Sequence, residues 1–191
     1  MLLMKDILQE FDPILHKRAI DVKLPLSLED LNTLLGMMEY VHNSQNDEMV
    51  EQYKLRPAVG LAAPQIGVSK RMFVMSTYDE TGQVLHEYAV VNPKILSASE
   101  EQTYIPGGEG CLSVDEEKTG LVARAKRIKV RFENVNLTTG ETKETLMKLQ
   151  DYVGIVFQHE FDHLNGILFV SKIQEALPTL KPVVFPEPEN E

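Results

Sequence analysis

The run His159-Glu160-Phe161-Asp162-His163 carries the strongest chemical signal in the chain. Residues four apart share one face of a helix, so both imidazoles can reach one metal ion. Glu160 lies one position round and can act as base toward a water that the ion activates. The competing reading is a pair of surface histidines with a solvated carboxylate. Apolar flanks at Ile155, Val156, Phe157 and Leu164 argue against it. Two histidines leave a catalytic centre incomplete, because such centres use about three protein ligands and keep one position open. The stretch Leu164-Asn165-Gly166-Ile167-Leu168-Phe169 offers neither His nor Glu, and Glu175 is the first later carboxylate. A third ligand is therefore expected from elsewhere in the chain.

Cys111 is the candidate. It sits in Gly107-Gly108-Glu109-Gly110-Cys111-Leu112-Ser113, where glycines allow sharp turns and close backbone approach. A thiolate is a strong metal donor, and a metal keeps it deprotonated. Taken alone, a lone cysteine also fits a small buried hydrophobe. A further segment, Gly60-Leu61-Ala62-Ala63-Pro64-Gln65-Ile66-Gly67, places one polar side chain in an apolar run. Gln65 needs a partner if buried and could donate to a developing oxyanion. A turn beside a strand is the plainer reading of that segment.

These residues need elements to hold them. Ser27-Leu28-Glu29-Asp30 has the form of a helix cap, and Leu28, Leu31, Leu34, Leu35, Met38 and Val41 follow at helical spacing. A helix is predicted from about Leu28 to Asn43. Residues 43–57 read as a loop or short helical excursion ending in Arg56-Pro57. Short strands are expected at Met72–Met75, Tyr88–Val91, Lys94–Leu96 and Gln102–Ile105, with Asn92-Pro93 as punctuation. Arg127–Phe132 alternates charged and apolar residues, as a strand with one wet face does. Asn136–Gly140 reads as a turn and Thr142–Leu149 as the hairpin partner. A second helix, Asp151 to Asn165 with Gly166 as its stop, carries apolar residues all around its axis and should lie buried. One helix, many short strands and a central helix together indicate an α+β fold. The expected organisation is a single catalytic domain over 1–173, followed by a flexible, proline- and glutamate-rich tail over 174–191.

The composition narrows the function. The chain has 191 residues, 19 Lys and Arg against 29 Asp and Glu, and a formal charge of −10. An acidic chain of this kind is a poor ligand for nucleic acid or an anionic bilayer. One cysteine excludes an intrachain disulfide. No apolar run reaches the ~18 residues of a membrane span, and the N-terminus lacks the pattern of a signal peptide. A cytoplasmic location is expected.

Three segments taken in order resemble the signature motifs of the peptide deformylases. They are Val59-Gly60-Leu61-Ala62-Ala63-Pro64-Gln65, Glu109-Gly110-Cys111-Leu112-Ser113 and Gln158-His159-Glu160-Phe161-Asp162-His163, with Gln65, Cys111 and His159 spaced 46 and 48 residues apart. The long segment before Gly60, and Ser113-Val114-Asp115, resemble the type II branch typical of Gram-positive bacteria. The resemblance implies an α+β fold in which mainly antiparallel sheets surround the metal-binding helix. It implies a hydrolase that removes the formyl group from N-terminal formyl-methionine of new proteins and releases formate. Cys111, His159 and His163 would then be metal ligands, for Fe²⁺ in the cell or Zn²⁺, Ni²⁺ or Co²⁺ in its place. Glu160 would be the acid and base, with Gln65 and the backbone N–H of Leu112 holding the formyl oxygen. Gly60 would pair its backbone with the substrate peptide. Val59, Glu109, Gly110, Tyr152, Ile155 and Val156 would line the methionine pocket, although core packing suits Val156 equally. Asp162 and Arg124 are candidates to orient the site, or else form a surface pair or make no contact. The implied partners are N-formylmethionyl nascent peptides and the ribosome near its exit tunnel, and the expected state is a monomer. Two rivals make different demands: an H-E-x-x-H endopeptidase would not need Cys111, and a metal-stabilised binding module would not need Glu160 or Gln65.

Overall fold

A computed structural model of the protein describes residues 1–116 and 118–186. Its centre is a five-stranded antiparallel sheet in the order β1-β2-β3-β6-β7, made of Gly60–Ala62, Met72–Tyr78, Leu85–Ala98, Arg127–Val135 and Thr142–Gln150. Strands β4 (Gln102–Thr103) and β5 (Arg124–Ala125) form a second, small sheet. Helix α1 (Leu28–Ser44) covers one face of the large sheet, and α3 (Asp151–His163) covers the other. Short α2 (Asp47–Tyr53) lies between α1 and β1.

Strand β2 explains this layering. Met72 and Val74 pack with Leu34, Met37, Met38 and Val41 of α1. Phe73 and Met75, which point the other way, pack with Val153, Val156 and Phe157 of α3. A strand buried on both faces reads as an unbroken apolar run, and β2 does. Strand β6 alternates over 127–132 because its Ile128, Val130 and Phe132 face is the covered one there.

The expected α+β class holds, with local corrections. Ser27 caps α1, accepting a hydrogen bond from the Asp30 N–H at 3.1 Å, while the Asp30 carboxylate takes the Ser27 hydroxyl and Lys70. Residues 85–98 form one strand rather than two. Asn92-Pro93 is a bulge inside it, with Asn92 at φ 50° and the register shifting between Val91 and Lys94. The strand expected over 102–105 is a strand only at Gln102–Thr103, where it pairs with β5. Helix α3 ends at His163, where the Arg71 guanidinium donates to the Leu164 carbonyl and Asn165 Oδ1, each at 3.0 Å. A cation there also suits the negative end of the helix.

The segment expected to be a frayed tail needs correction over 174–186. Leu121 and Gln174 exchange two backbone hydrogen bonds at 2.8 Å. Thr103 donates to the Lys181 carbonyl at 2.9 Å, and the Val183 N–H donates to the Tyr104 carbonyl at 2.9 Å. Leu177 and Val183 are buried, and Phe185 packs edge-on against Tyr152 at 5.3 Å. The prolines and glutamates interrupt these apolar side chains, which therefore show no helical or strand period. The rest of the expected tail, 187–191, lies outside the described residues. Among the described residues, no helix is long and apolar enough to cross a membrane.

Candidate active site

Helix α3 brings His159 and His163 to one face, as their four-residue spacing requires. The loop carrying Cys111 runs past that face. Cys111 Sγ lies 3.4 Å from His163 Nε2, and one donor atom each from Cys111, His159 and His163 all lie within 4.8 Å of one another. A tetrahedral ion with bonds of ~2.0–2.3 Å holds its donors about 3.5 Å apart. One thiolate and two imidazoles at these separations fit a divalent metal ion with small adjustments.

A chain of buried charges holds the first imidazole. His159 Nδ1 lies 2.8 Å from Glu109 Oε2, and Glu109 takes a two-pronged pair from Arg124 with both contacts at 2.8 Å. Arg124 also meets the Asp162 carboxylate, which in turn binds Lys172 Nζ at 2.5 Å. Burial opposes the charge on Glu109, but Arg124 and His159 outweigh it and hold the carboxyl down at about 2. Burial also opposes the charge on Arg124, and Glu109 with Asp162 raises it instead. The pairing of Arg124 with Asp162 is thus buried rather than a surface contact. Glu109 both borders the cleft and orients His159, a second part that its glycine-rich setting did not reveal.

Glu160 is 4% exposed, and its Oε2 has no hydrogen-bond partner among the described residues. Burial foremost pushes this carboxyl up to about 7. A cation at the neighbouring donor cluster would draw that value down. The site leaves Glu160 no spare room, since a β-carbon on Gly60 would fall 2.5 Å from Glu160 Oε1. Gln65 is 2% exposed and fixed at both ends. Its Oε1 accepts from the Ala62 N–H at 2.9 Å, which turns Nε2 toward Ser113 Oγ (3.2 Å) and Cys111 Sγ (3.5 Å). Leu112 N–H has no acceptor among the described residues.

A cleft of about 370 Å³ opens onto these groups. Val59, Gly60, Gln65, Glu109, Gly110, Cys111, Leu112, Tyr152, Ile155, Val156, His159 and Glu160 all border it. His163 lies behind them, 1% exposed. Every residue expected in the pocket is therefore brought to one place. Gln45, Arg56, Pro57, Ala58, Ile105 and Gly108 also line it, and the sequence reading had no role for them. Gln45 closes α1 and donates from Nε2 to the carbonyls of Ala58 and Ser76, both at 2.9 Å. A polar residue at a helix end is too common to have singled it out.

Known proteins show the same arrangement of sequence and fold. Residues 4–178 match the polypeptide deformylase family. The chain is 51% identical over 182 residues to peptide deformylase 2 of Bacillus cereus, covering 95% of this chain and 96% of that protein. It is 51% identical over 176 residues to a peptide deformylase of Halalkalibacterium halodurans, covering 91% and 92%. Among solved structures, peptide deformylase from Thermotoga maritima aligns with TM-score 0.62 and 39% identity, over 88% of this chain and 96% of that one. A probable peptide deformylase from Synechococcus phage S-SSM7 aligns with TM-score 0.68 and 34% identity, over 87% and 98%.

Proposed function

The chain belongs to the polypeptide deformylase family, and from that premise we propose how its own residues carry out the family's reaction. The protein is a hydrolase that removes the formyl group from the N-terminus of newly synthesised, formylmethionyl proteins. Cys111, His159 and His163 would hold one divalent ion, which when bound supplies Lewis-acid activation of the formyl group and water. The carrying observation is the convergence of these three donors within 4.8 Å beside Glu160 and Gln65 in one cleft.

Glu160 takes a proton from the attacking water through its unpaired Oε2 and hands it to the departing α-amine. The oxygen of water ends on formate, and the amine leaves as the free N-terminus. Gln65 Nε2 and the Leu112 N–H donate to the formyl oxygen as negative charge grows on it. Gly60 pairs its backbone with the peptide. Val59, Glu109, Gly110, Tyr152, Ile155 and Val156 enclose the methionine side chain. Glu109, braced by Arg124 and Asp162, keeps the His159 ring in its donor orientation.

The resident ion in this reading is Fe²⁺, with Zn²⁺, Ni²⁺ or Co²⁺ able to replace it, since two imidazoles and a thiolate suit all of these. The enzyme works as a monomer in the cytoplasm, on chains leaving the ribosome near its exit tunnel. The deciding experiment measures formate release from formyl-Met peptides under anaerobic conditions, with metal content determined on the same sample. Metal-loaded protein that releases no formate would leave a binding module as the better reading. A Cys111→Ala variant that kept its metal and activity would remove Cys111 from the ligand set.

A further inference from the structure

Arg56 stands at the lip of the cleft, between α2 and β1, and its guanidinium is committed to the loop that carries Cys111. Nη2 donates to the carbonyls of Cys111 and Val114, each at 3.1 Å. Nη1 donates to the Leu112 carbonyl at 3.3 Å and to Asp115 Oδ1 at 3.4 Å. Three carbonyls of one short loop thus converge on one planar cation. The Arg56 backbone is itself held, because the buried Tyr40 hydroxyl donates to the Arg56 carbonyl at 3.2 Å.

The Cys111 carbonyl belongs to the same peptide unit as the Leu112 N–H. That unit is trans, so its C=O and N–H point in opposite directions. Arg56 holds this oxygen together with the Val114 N–H at 3.2 Å, and fixing the oxygen fixes the N–H on the far side. A cation at the oxygen also draws electron density through the peptide and strengthens the N–H as a donor. The Leu112 N–H has no acceptor among the described residues and is free to take one.

We propose that Arg56 is a positioning residue for the reaction: it orients and polarises the Cys111–Leu112 peptide so that the Leu112 N–H meets the formyl oxygen as charge develops. This rests on the reading of Leu112 N–H as an oxyanion donor. A lysine offers a single point of charge and cannot span the three carbonyls, so Arg56→Lys is not a silent change.

The test compares Arg56→Ala, Arg56→Lys and Gln65→Ala with the unaltered enzyme on a formyl-Met tripeptide. Arg56→Ala should lower kcat by about 10- to 100-fold, less than the ~10²–10³ expected when an oxyanion donor is lost outright. KM should change little, metal content should be retained, and millimolar guanidinium should restore part of the rate. In Zn²⁺-loaded protein, which is diamagnetic, the Leu112 amide proton resonance should move upfield in Arg56→Lys, with the other shifts confined to residues 111–115 that Arg56 contacts. An unchanged resonance, a raised KM at full kcat, or a loss of metal that guanidinium does not repair would each overturn the proposal. If Gln65→Ala slows turnover and Arg56→Ala does not, this proposal alone fails. If neither slows it, the oxyanion reading fails and this one with it.

Discussion

Replacing Gly60 by alanine tests how tightly Glu160, the proposed general base, is seated. The new β-carbon would lie 2.5 Å from Glu160 Oε1, 2.8 Å from Cδ and 2.9 Å from Cγ, where ordinary contact begins at 3.4 Å. Three side-chain atoms are crowded together, so a rotation of the carboxylate alone does not relieve the clash. Glu160 must retreat by about 1 Å, and a misplacement of that size can cost ~10²-fold in rate. The three nearest atoms all belong to Glu160 and none to the proposed ligands Cys111, His159 and His163, so metal content should stay the same. Overpacking typically costs ~1–3 kcal/mol, and at ~2–4 °C per kcal/mol the melting temperature should fall by roughly 2–12 °C. The backbone is not the cause, because Gly60 does not occupy the positive-φ region and alanine can adopt its conformation. The assay is kcat and KM on a formyl-Met peptide for Gly60→Ala, Glu160→Ala and the double variant. A shared cause makes the double variant no slower than Glu160→Ala alone. A Gly60→Ala enzyme with kcat within twofold of the original, or fully additive losses, would refute the reasoning.

Four further outcomes follow from the same geometry. Glu160→Gln should retain its metal and lose ~10²–10⁴ in kcat, the usual worth of a general base, as metal analysis and steady-state kinetics on one sample would reveal. Cys111→Ala should bind metal poorly, and chelation of the unaltered enzyme should lower its melting temperature, since a ligand that binds only the folded state stabilises it. Arg124→Met leaves the Glu109 and Asp162 carboxylates buried without their shared cation, and urea unfolding should register a loss of ~3–5 kcal/mol. Burial raises the phenols of Tyr40, Tyr88 and Tyr152 above their ordinary value of 10.0. Their contribution to stability is therefore whole below the unfolded value of ~10 and is lost as pH rises through the folded values. Tyrosinate absorbance against pH should show these three ionising only beyond pH 10, and Tyr40→Phe should blunt the alkaline loss of stability.

The donor cluster was legible because metal-binding chemistry restricts residue type. Only a few side chains bind a transition metal, and their helical spacing survives in the sequence, so His159 and His163 could be paired and Cys111 added by the incomplete ligand count. Layering was legible for a related reason: β2 is apolar on both faces and β6 on one, and sheet period alone records which faces are covered. The parts that could not be read are contacts between groups without a distinctive type. Arg124 could be suspected but not joined to both Glu109 and Asp162, because a salt bridge leaves no spacing rule. Asn92-Pro93 looked like a break between strands, yet a bulge tolerates the same residues and keeps pairing on either side. The docked course of 174–186 was hidden by composition, since three apolar anchors among prolines do not form a periodic pattern.

The two kinds of residue meet in the loop 107–115, and the meeting explains why the site is wired as it is. Cys111 arrives from a glycine-rich loop, which by itself does not hold a donor atom to the tolerance a metal ion requires. Helix α3 is rigid, so the loop has to be fixed to it and to the segment before β1. Glu109 reaches His159 on α3 directly and Asp162 through Arg124. Arg56 grips the following carbonyls from the segment before β1. Gln65 spans the remaining gap, bonded to Ala62 at one end and to Ser113 at the other. Each tie is charged or uses a polar group held at both ends, and each is at least partly sheltered from water, where such bonds are strongest. The loop is thus stapled on three sides, with the Leu112 N–H left without an acceptor among the described residues and Cys111 Sγ turned toward Gln65 Nε2 and His163 Nε2. In the proposed mechanism the loop can serve as one half of the centre because its carbonyls and carboxylates are spent on neighbours, while the Leu112 N–H and the Cys111 thiol face the reaction.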